Sequence, residues 1–384
     1  MKAIEGDDEG DEKMEEKETE KEKERLRDAY GFPLDVAGDD GDESRRERVL
    51  SVRETCRRGD ESAEKTWRKN WPGPLRGVVD IDADADGNGN GNDEKGSLSV
   101  QQLYRSYRSE RLKKYLKKMC RKGVPQDLRP VVWFHTSGAL VAKESARKDG
   151  KDYKDLCVSP EVLNQIELDV PRTFPDHALF QSEDGRCALK RLLVAVSQYD
   201  SENGYCQSMN YIAAFLLVVL GGDEEKAFWI MLSMIKDRVY EGTWSKRLTG
   251  CMIEMDTLSI LLRKRIPKVA QHFEEIGCDV SYFATDWFLC LFCKTLPSET
   301  VARIWDCLLL EGPKILFRVA LTIVKLCQKE LLLAANPGDV LTIVRNTQNN
   351  FHDRSVLMDL AFGSLGSLPI SKINKYRDRS GHMK

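Results

Sequence analysis

From about Ser99 onward the apolar residues of this chain recur at helical spacing, and alternating strand-like runs are scarce. Val301, Ile304, Trp305, Leu308 and Leu309 fall at i, i+3, i+4, i+7 and i+8, one full apolar face of a helix. Ser298 stands ready to cap that helix, and Gly312-Pro313 stops it. Pro267 opens another helix, with Ala270, Phe273 and Ile276 on one face and Gly277 at its close. Met252, Met255, Leu258 and Leu262 mark one more. The apolar run Tyr211–Leu220 is far short of the roughly 20 residues needed to span a bilayer and reads as a core helix. No fixed-period repeat is present. The pattern predicts an all-α domain of many short helices over residues 99–384.

Residues 1–98 have another texture. Met1–Glu24 is almost entirely Asp, Glu and Lys, and its like-charged i,i+4 pairs (Lys17/Lys21, Glu18/Glu22, Glu20/Glu24) oppose a helix, so disorder is expected there. Two apolar clusters, Tyr30–Leu34 and the group Trp67, Trp71 and Leu75, are suited to docking on a neighbouring domain. In the stretch DIDADADGNGNGNDE, Asp82, Asp84, Asp86 and Gly87 fit the first half of a calcium loop, with Asp93 at its twelfth position. Gly89 then sits where such loops carry an apolar residue, and Trp71-Pro72-Gly73-Pro74 breaks an entering helix. A flexible polar linker is the expectation. The extension as a whole is expected to be largely disordered, with short docking segments.

Composition narrows the function. Of 384 residues, 41% are hydrophobic and 32% charged, and the formal net charge is −3, so no broad attraction to nucleic acid is expected. A local basic patch at Arg105–Lys122 reads as the solvated face of a helix, with phosphate or lipid contact as the alternative. The eleven cysteines are scattered, and the opening residues MKAIEGDDEG hold no apolar stretch. Reduced thiols in a cytoplasmic protein are the expectation, with at most peripheral attachment to endomembranes.

The motifs of self-contained hydrolases are missing. There is no GxxxxGK[ST], HExxH, GxSxG or paired CxxC set. The single CxxC, Cys290-Leu291-Phe292-Cys293, lies in the apolar run WFLCLFC and reads as helix packing. Two polar points stand out. In QIELDVPRTFPDH, Asp169 and Arg172 are three apart, and Pro171 disfavours α geometry at Val170 and ends the helix. Arg172 thus emerges at a helix C-terminus, where it complements the dipole and can pair with Asp169. In GYCQSMN, a turn leads through Tyr205 and Gln207 into the apolar helix. Gln207 there offers an amide at a defined place, for a cap, an inter-helix bond or a partner.

Together these motifs resemble the TBC domain, the all-helical domain of GTPase-activating proteins for Rab GTPases. RKGVPQDLRPVVW resembles its entry motif, with Arg129 and Trp133 at the R-x-x-x-W positions. IELDVPRTF resembles its I-x-x-D-x-x-R, with Arg172 at the arginine-finger position. GYCQ resembles its Y-x-Q, with Gln207 at the glutamine-finger position. WFLCLFCKTLPSETVARIWDCLLLEGPKILFRVAL resembles its C-terminal half, and the likeness covers about Met119 to Ala361. Ser208 stands where the family often has glycine, and a small hydroxyl is expected to fit. Pro130 replaces a common glycine in a first helical turn, where proline is tolerated.

The resemblance implies two helical subdomains and a partner, a GTP-bound Rab-family GTPase. It implies that this chain supplies Arg172 and Gln207 to the partner in trans, with Asp169 and Tyr205 supporting them and Arg129 and Trp133 structural. It implies no cofactor of the chain's own, since GTP and magnesium belong to the GTPase, and a place in vesicle trafficking. The alternative is a non-catalytic scaffold that binds a small GTPase or a membrane tether.

Overall fold

The computed structural model describes residues 27–34, 43–70, 110–148, 158–200, 203–349 and 351–381. Among them the chain is all-α, with one isolated antiparallel bridge, Arg27 to Pro33, as its sole strand-like feature. Met1–Glu24 and Asp80–Glu94, with the disorder and linker expectations attached to them, lie outside the described residues.

The first elements are α1 (Glu43–Asn70), α2 (Glu110–Lys122), α3 (Arg129–Thr136) and α4 (Ala139–Lys148). Then follow α5 (Pro160–Asp169), α6 (Ala178–Gln181), α7 (Glu183–Tyr199), α8 (Met209–Val219) and α9 (Glu224–Ser233). The second group is α10 (Thr249–Arg265), α11 (Pro267–Glu275), α12 (Ser281–Leu289), α13 (Ser298–Glu311) and α14 (Lys314–Leu326). It closes with α15 (Gln328–Leu331), α16 (Pro337–Asn349), α17 (Arg354–Gly363) and α18 (Ile370–Gly381).

Helix α13 joins the two groups. It packs on α2 and α3 from the first and on α14 and α17 from the second. Its apolar face is fully buried, as the spacing predicts, but Ala302, Arg303, Asp306 and Cys307 are buried too, so the helix is surrounded rather than half-exposed. Gly312 ends it with φ +77°. Ser298 does not cap it: Pro297 holds the cap position, and the Ser298 hydroxyl donates to Asp28 instead.

Buried polar groups fix α3 to α13. Arg129 Nε donates to Asp306 Oδ1 (3.0 Å) and its Nη2 to Oδ2 (3.1 Å), while Trp133 Nε1 donates to Oδ1 (2.9 Å) and the Val124 amide to Oδ2 (2.9 Å). A fully buried carboxylate is tolerable only when its lone pairs are taken up in this way.

Helix α1 was not foreseen in the extension. Its buried residues Val49, Cys56 and Trp67 are separated by seven and eleven positions, about two and three helical turns, so they share one face despite a polar sequence. Trp67 joins Leu116, Met119 and Cys120 of α2 in a small core, and its Nε1 donates to the Gly123 carbonyl (2.6 Å). Trp71 and Leu75 lie outside the described residues.

Candidate functional site

The arginine turn is built from a capped helix that ends abruptly. Ser159 caps α5, Pro160 occupies its first turn, and the helix runs to Asp169. Val170–Arg172 then tightens into a 3₁₀ turn. Val170 stays in the α region (φ −55°, ψ −49°) despite the following proline, and the break comes at Thr173, which is extended. Arg172 is thereby pushed outward, its side chain 52% exposed, whereas the Asp169 side chain is only 5% exposed.

Asp169 holds both motifs. One carboxylate oxygen pairs with Arg172. The other accepts from Tyr205 Oη at 2.5 Å. Burial, reinforced by this hydrogen bond to a carboxylate, pushes the Tyr205 phenol well above its ordinary pKa, so Tyr205 stays protonated and remains the donor. Gln207, two residues further on, is exposed on the turn before α8.

A second tie lies beneath. Thr173 and Asn210 are fully buried. Asn210 Nδ2 donates to Thr173 Oγ1 (2.7 Å), Thr173 Oγ1 donates to the Asp169 carbonyl (2.7 Å), and Asn210 Oδ1 accepts from the Ser208 amide (3.1 Å). The turns carrying Arg172 and Gln207 are therefore cross-linked twice. Asn210 is legible in sequence as one amide in an apolar run, but nothing in the sequence names Thr173 as its partner.

Ser208 brings a cost that packing alone does not show. Its φ is +114° with ψ −28°, a region open to glycine and unfavourable for serine. The side chain is buried, and backbone strain sits next to Gln207.

Gln207 and Tyr205 face a groove of about 720 Å³, also lined by Tyr211, Trp244, Lys246, Asp286 and Lys294. Lys294 pairs with Asp286 (2.8 Å) and lies over the Tyr211 ring. The CxxC lies in the turns after α12 rather than within a helix, and Cys290 and Cys293 are buried. Burial pushes the Cys290 thiol up to about 12. The described cysteines are all free, and no described cluster of His, Cys, Asp and Glu is placed to hold a metal ion. No described helix is long and apolar enough to cross a membrane.

Comparison with known proteins agrees with this architecture. Residues 126–332 match the Rab-GTPase-TBC domain. Growth hormone-regulated TBC protein 1 of Xenopus tropicalis is 36% identical over 291 residues, 74% of this chain and 83% of that protein. TBC1 domain family member whacked of Drosophila melanogaster is 36% identical over 236 residues, 60% of this chain and 63% of that one. Among solved structures, the Chlamydomonas flagellar RabGAP TBC domain superposes with a TM-score of 0.65 at 35% identity, covering 88% of this chain and 99% of that one. The Ypt/Rab-GAP domain of Gyp1p, at 19% identity and a TM-score of 0.56 over 69% of this chain and 98% of that one, shares the fold. The chain belongs to the Rab-GTPase-TBC domain family.

Proposed function

We propose that this protein accelerates GTP hydrolysis on a Rab-type small GTPase by inserting Arg172 and Gln207 into the partner's nucleotide site. One observation carries the reading: a single buried carboxylate, Asp169, holds both the exposed Arg172 and the tyrosine two residues before the exposed Gln207. Family membership supports it, because the domain is named for its action on Rab GTPases.

The chemistry fits those residue types. Phosphoryl transfer to water spreads charge over the γ-phosphate oxygens, and an arginine supplied in trans is worth about 10³–10⁵ in rate. That equals about 4–7 kcal/mol of barrier. A guanidinium is suited to this because its planar donors reach two phosphate oxygens at once. Gln207 carries a donor and an acceptor on one planar amide, which suffices to orient an attacking water. Insertion requires Arg172 to leave Asp169. With Arg172 half in water, that exchange costs little, and Asp169 keeps its bond from Tyr205. The partner is the GTP-bound state, at a cytoplasmic or endomembrane surface where vesicle traffic is controlled.

Screening GTP hydrolysis across a panel of Rab proteins tests the proposal and finds the substrate. Stimulation of one or a few Rabs, weakened in Gln207→Ala, is the expected result. A folded chain that binds a GTP-loaded Rab and stimulates none would instead identify a non-catalytic scaffold.

A further inference from the structure

Residues 27–34 belong to the extension, well upstream of the matched region at 126–332, yet they sit on the arginine turn. They form a compact loop. The Asp28 amide donates to the Phe32 carbonyl (2.8 Å), and Asp28 Oδ1 accepts from the amides of Tyr30 (2.9 Å) and Phe32 (3.0 Å). One side of the loop is anchored to the body. Ala29 donates to Glu299 (2.8 Å), Gln126 donates to the Ala29 carbonyl (2.8 Å), and Arg129 Nη1 donates to the Tyr30 hydroxyl (2.5 Å).

The other side meets the residues that follow Arg172. The Phe32 ring lies 4.8 Å from that of Phe174 and 4.6 Å from that of His177, centroid to centroid. Arg27 Nη1 donates to the Asp176 carbonyl (3.1 Å). His177 Nδ1 accepts from the Leu179 amide (3.2 Å), so its proton sits on Nε2 and is donated to the Tyr30 carbonyl (2.7 Å). Phe174 has φ +45°, a left-handed conformation that a bulky residue keeps only when its surroundings hold it. Asn210 holds this turn from within through Thr173, and Phe32 covers it from outside.

We infer that residues 27–34 are a positioning element of the GTPase-activating reaction, clamping the turn at 171–177 so that Arg172 is presented in one conformation. This rests on the proposed role of Arg172. Phe32 and Tyr30 touch no reacting atom; they act through Phe174 and His177.

The test uses the full chain and the Rab found in the panel, with Arg172→Ala as the reference for lost catalysis. Phe32→Ala is expected to lower the maximal single-turnover rate about 10- to 100-fold, the penalty of a misplaced catalytic group, with half-saturation changed by less than about twofold. Phe32→Leu, which keeps an apolar contact on Phe174, is expected to recover most of the rate. Hydrogen exchange is expected to quicken in the 171–177 segment of Phe32→Ala. Gly31→Ala provides a second variant, since Gly31 has φ +82° and an added Cβ would lie 3.3 Å from His177 Nε2. Should Phe32→Ala lose its helical circular dichroism, Gly31→Ala and Phe32→Leu carry the comparison. Unchanged maximal rate and unchanged exchange at 171–177 would overturn the inference. So would a raised half-saturation at full maximal rate, which would make Phe32 a partner contact. Both results leave the GTPase-activating reading intact as long as Arg172→Ala is inactive. A wild-type chain that stimulates no Rab removes that reading, and the inference with it.

Discussion

Replacing Asp169 by asparagine isolates what one carboxylate does for two turns. The side chain keeps its shape but loses its charge and can accept at only one end. Either Tyr205 or Arg172 then faces an N–H group instead of an oxygen. A hydrogen bond to a charged partner contributes about 1.5–3 kcal/mol. The Tyr205 bond lies in the protected part of the site and takes that value nearly in full, whereas Arg172, 52% exposed, recovers hydration and contributes little. The expected loss of stability is thus about 2 kcal/mol, well below the cost of breaking a fully buried ion pair. It is read from urea unfolding at constant m-value. With the carboxylate tie weakened and only the Thr173–Asn210 tie intact, the maximal rate of GTP hydrolysis on the partner is expected to fall about 10- to 100-fold while binding of the GTP-loaded form is kept. An Asp169→Asn protein with unchanged or higher maximal rate would refute the reasoning: the carboxylate would then be a resting latch on Arg172 rather than a support for catalysis.

Other consequences follow from the same geometry. Ser208→Gly relieves the backbone at φ +114°; set against glycine's greater entropy when unfolded, the net gain is expected to be about 1 kcal/mol, measured by denaturant midpoint, with GTPase activation unimpaired. Arg129→Ala strips the fully buried Asp306 of its main cation and is expected to destabilise by about 3–5 kcal/mol, visible as a large drop in melting temperature. Burial raises Asp28 from 3.8 to about 6, so its docked form favours the proton. Its contribution to docking is present below about pH 4 and is lost as pH rises through about 6. His177, pushed down by burial, works in the opposite sense, and Glu299 adds to the rise at Asp28. The difference between wild type and Asp28→Asn in exchange protection of residues 30–32, followed from pH 4 to 7, isolates the Asp28 part.

The helical character was legible because core helices must carry apolar residues at their own period, and α13 shows that period residue by residue. Its full burial was not legible, since Arg303 and Asp306 look like surface residues until the Arg129–Asp306 pair and the hydrogen bonds that Arg303 donates to the Cys120 and Arg121 carbonyls of α2 are known. Helix α1 escaped notice because Val49, Cys56 and Trp67 are too sparse to register as a face. The site was half legible. Arg172, Asp169, Tyr205 and Gln207 stand in local motifs that a sequence displays. The contacts that join those motifs span 36 residues from Asp169 to Tyr205 and 37 from Thr173 to Asn210, distances over which spacing says nothing. Contact of Phe32 with the arginine turn is further still from local pattern. The strain at Ser208 was hidden for another reason: a serine's φ is set by the turn it occupies, not by its identity.

The most direct test compares wild type with Arg172→Ala in single-turnover GTP hydrolysis, at saturating protein and on the same Rab. The account predicts acceleration of about 10³–10⁵ by wild type, abolished in Arg172→Ala although that variant still binds the GTP-loaded Rab. Undiminished acceleration by Arg172→Ala would contradict it.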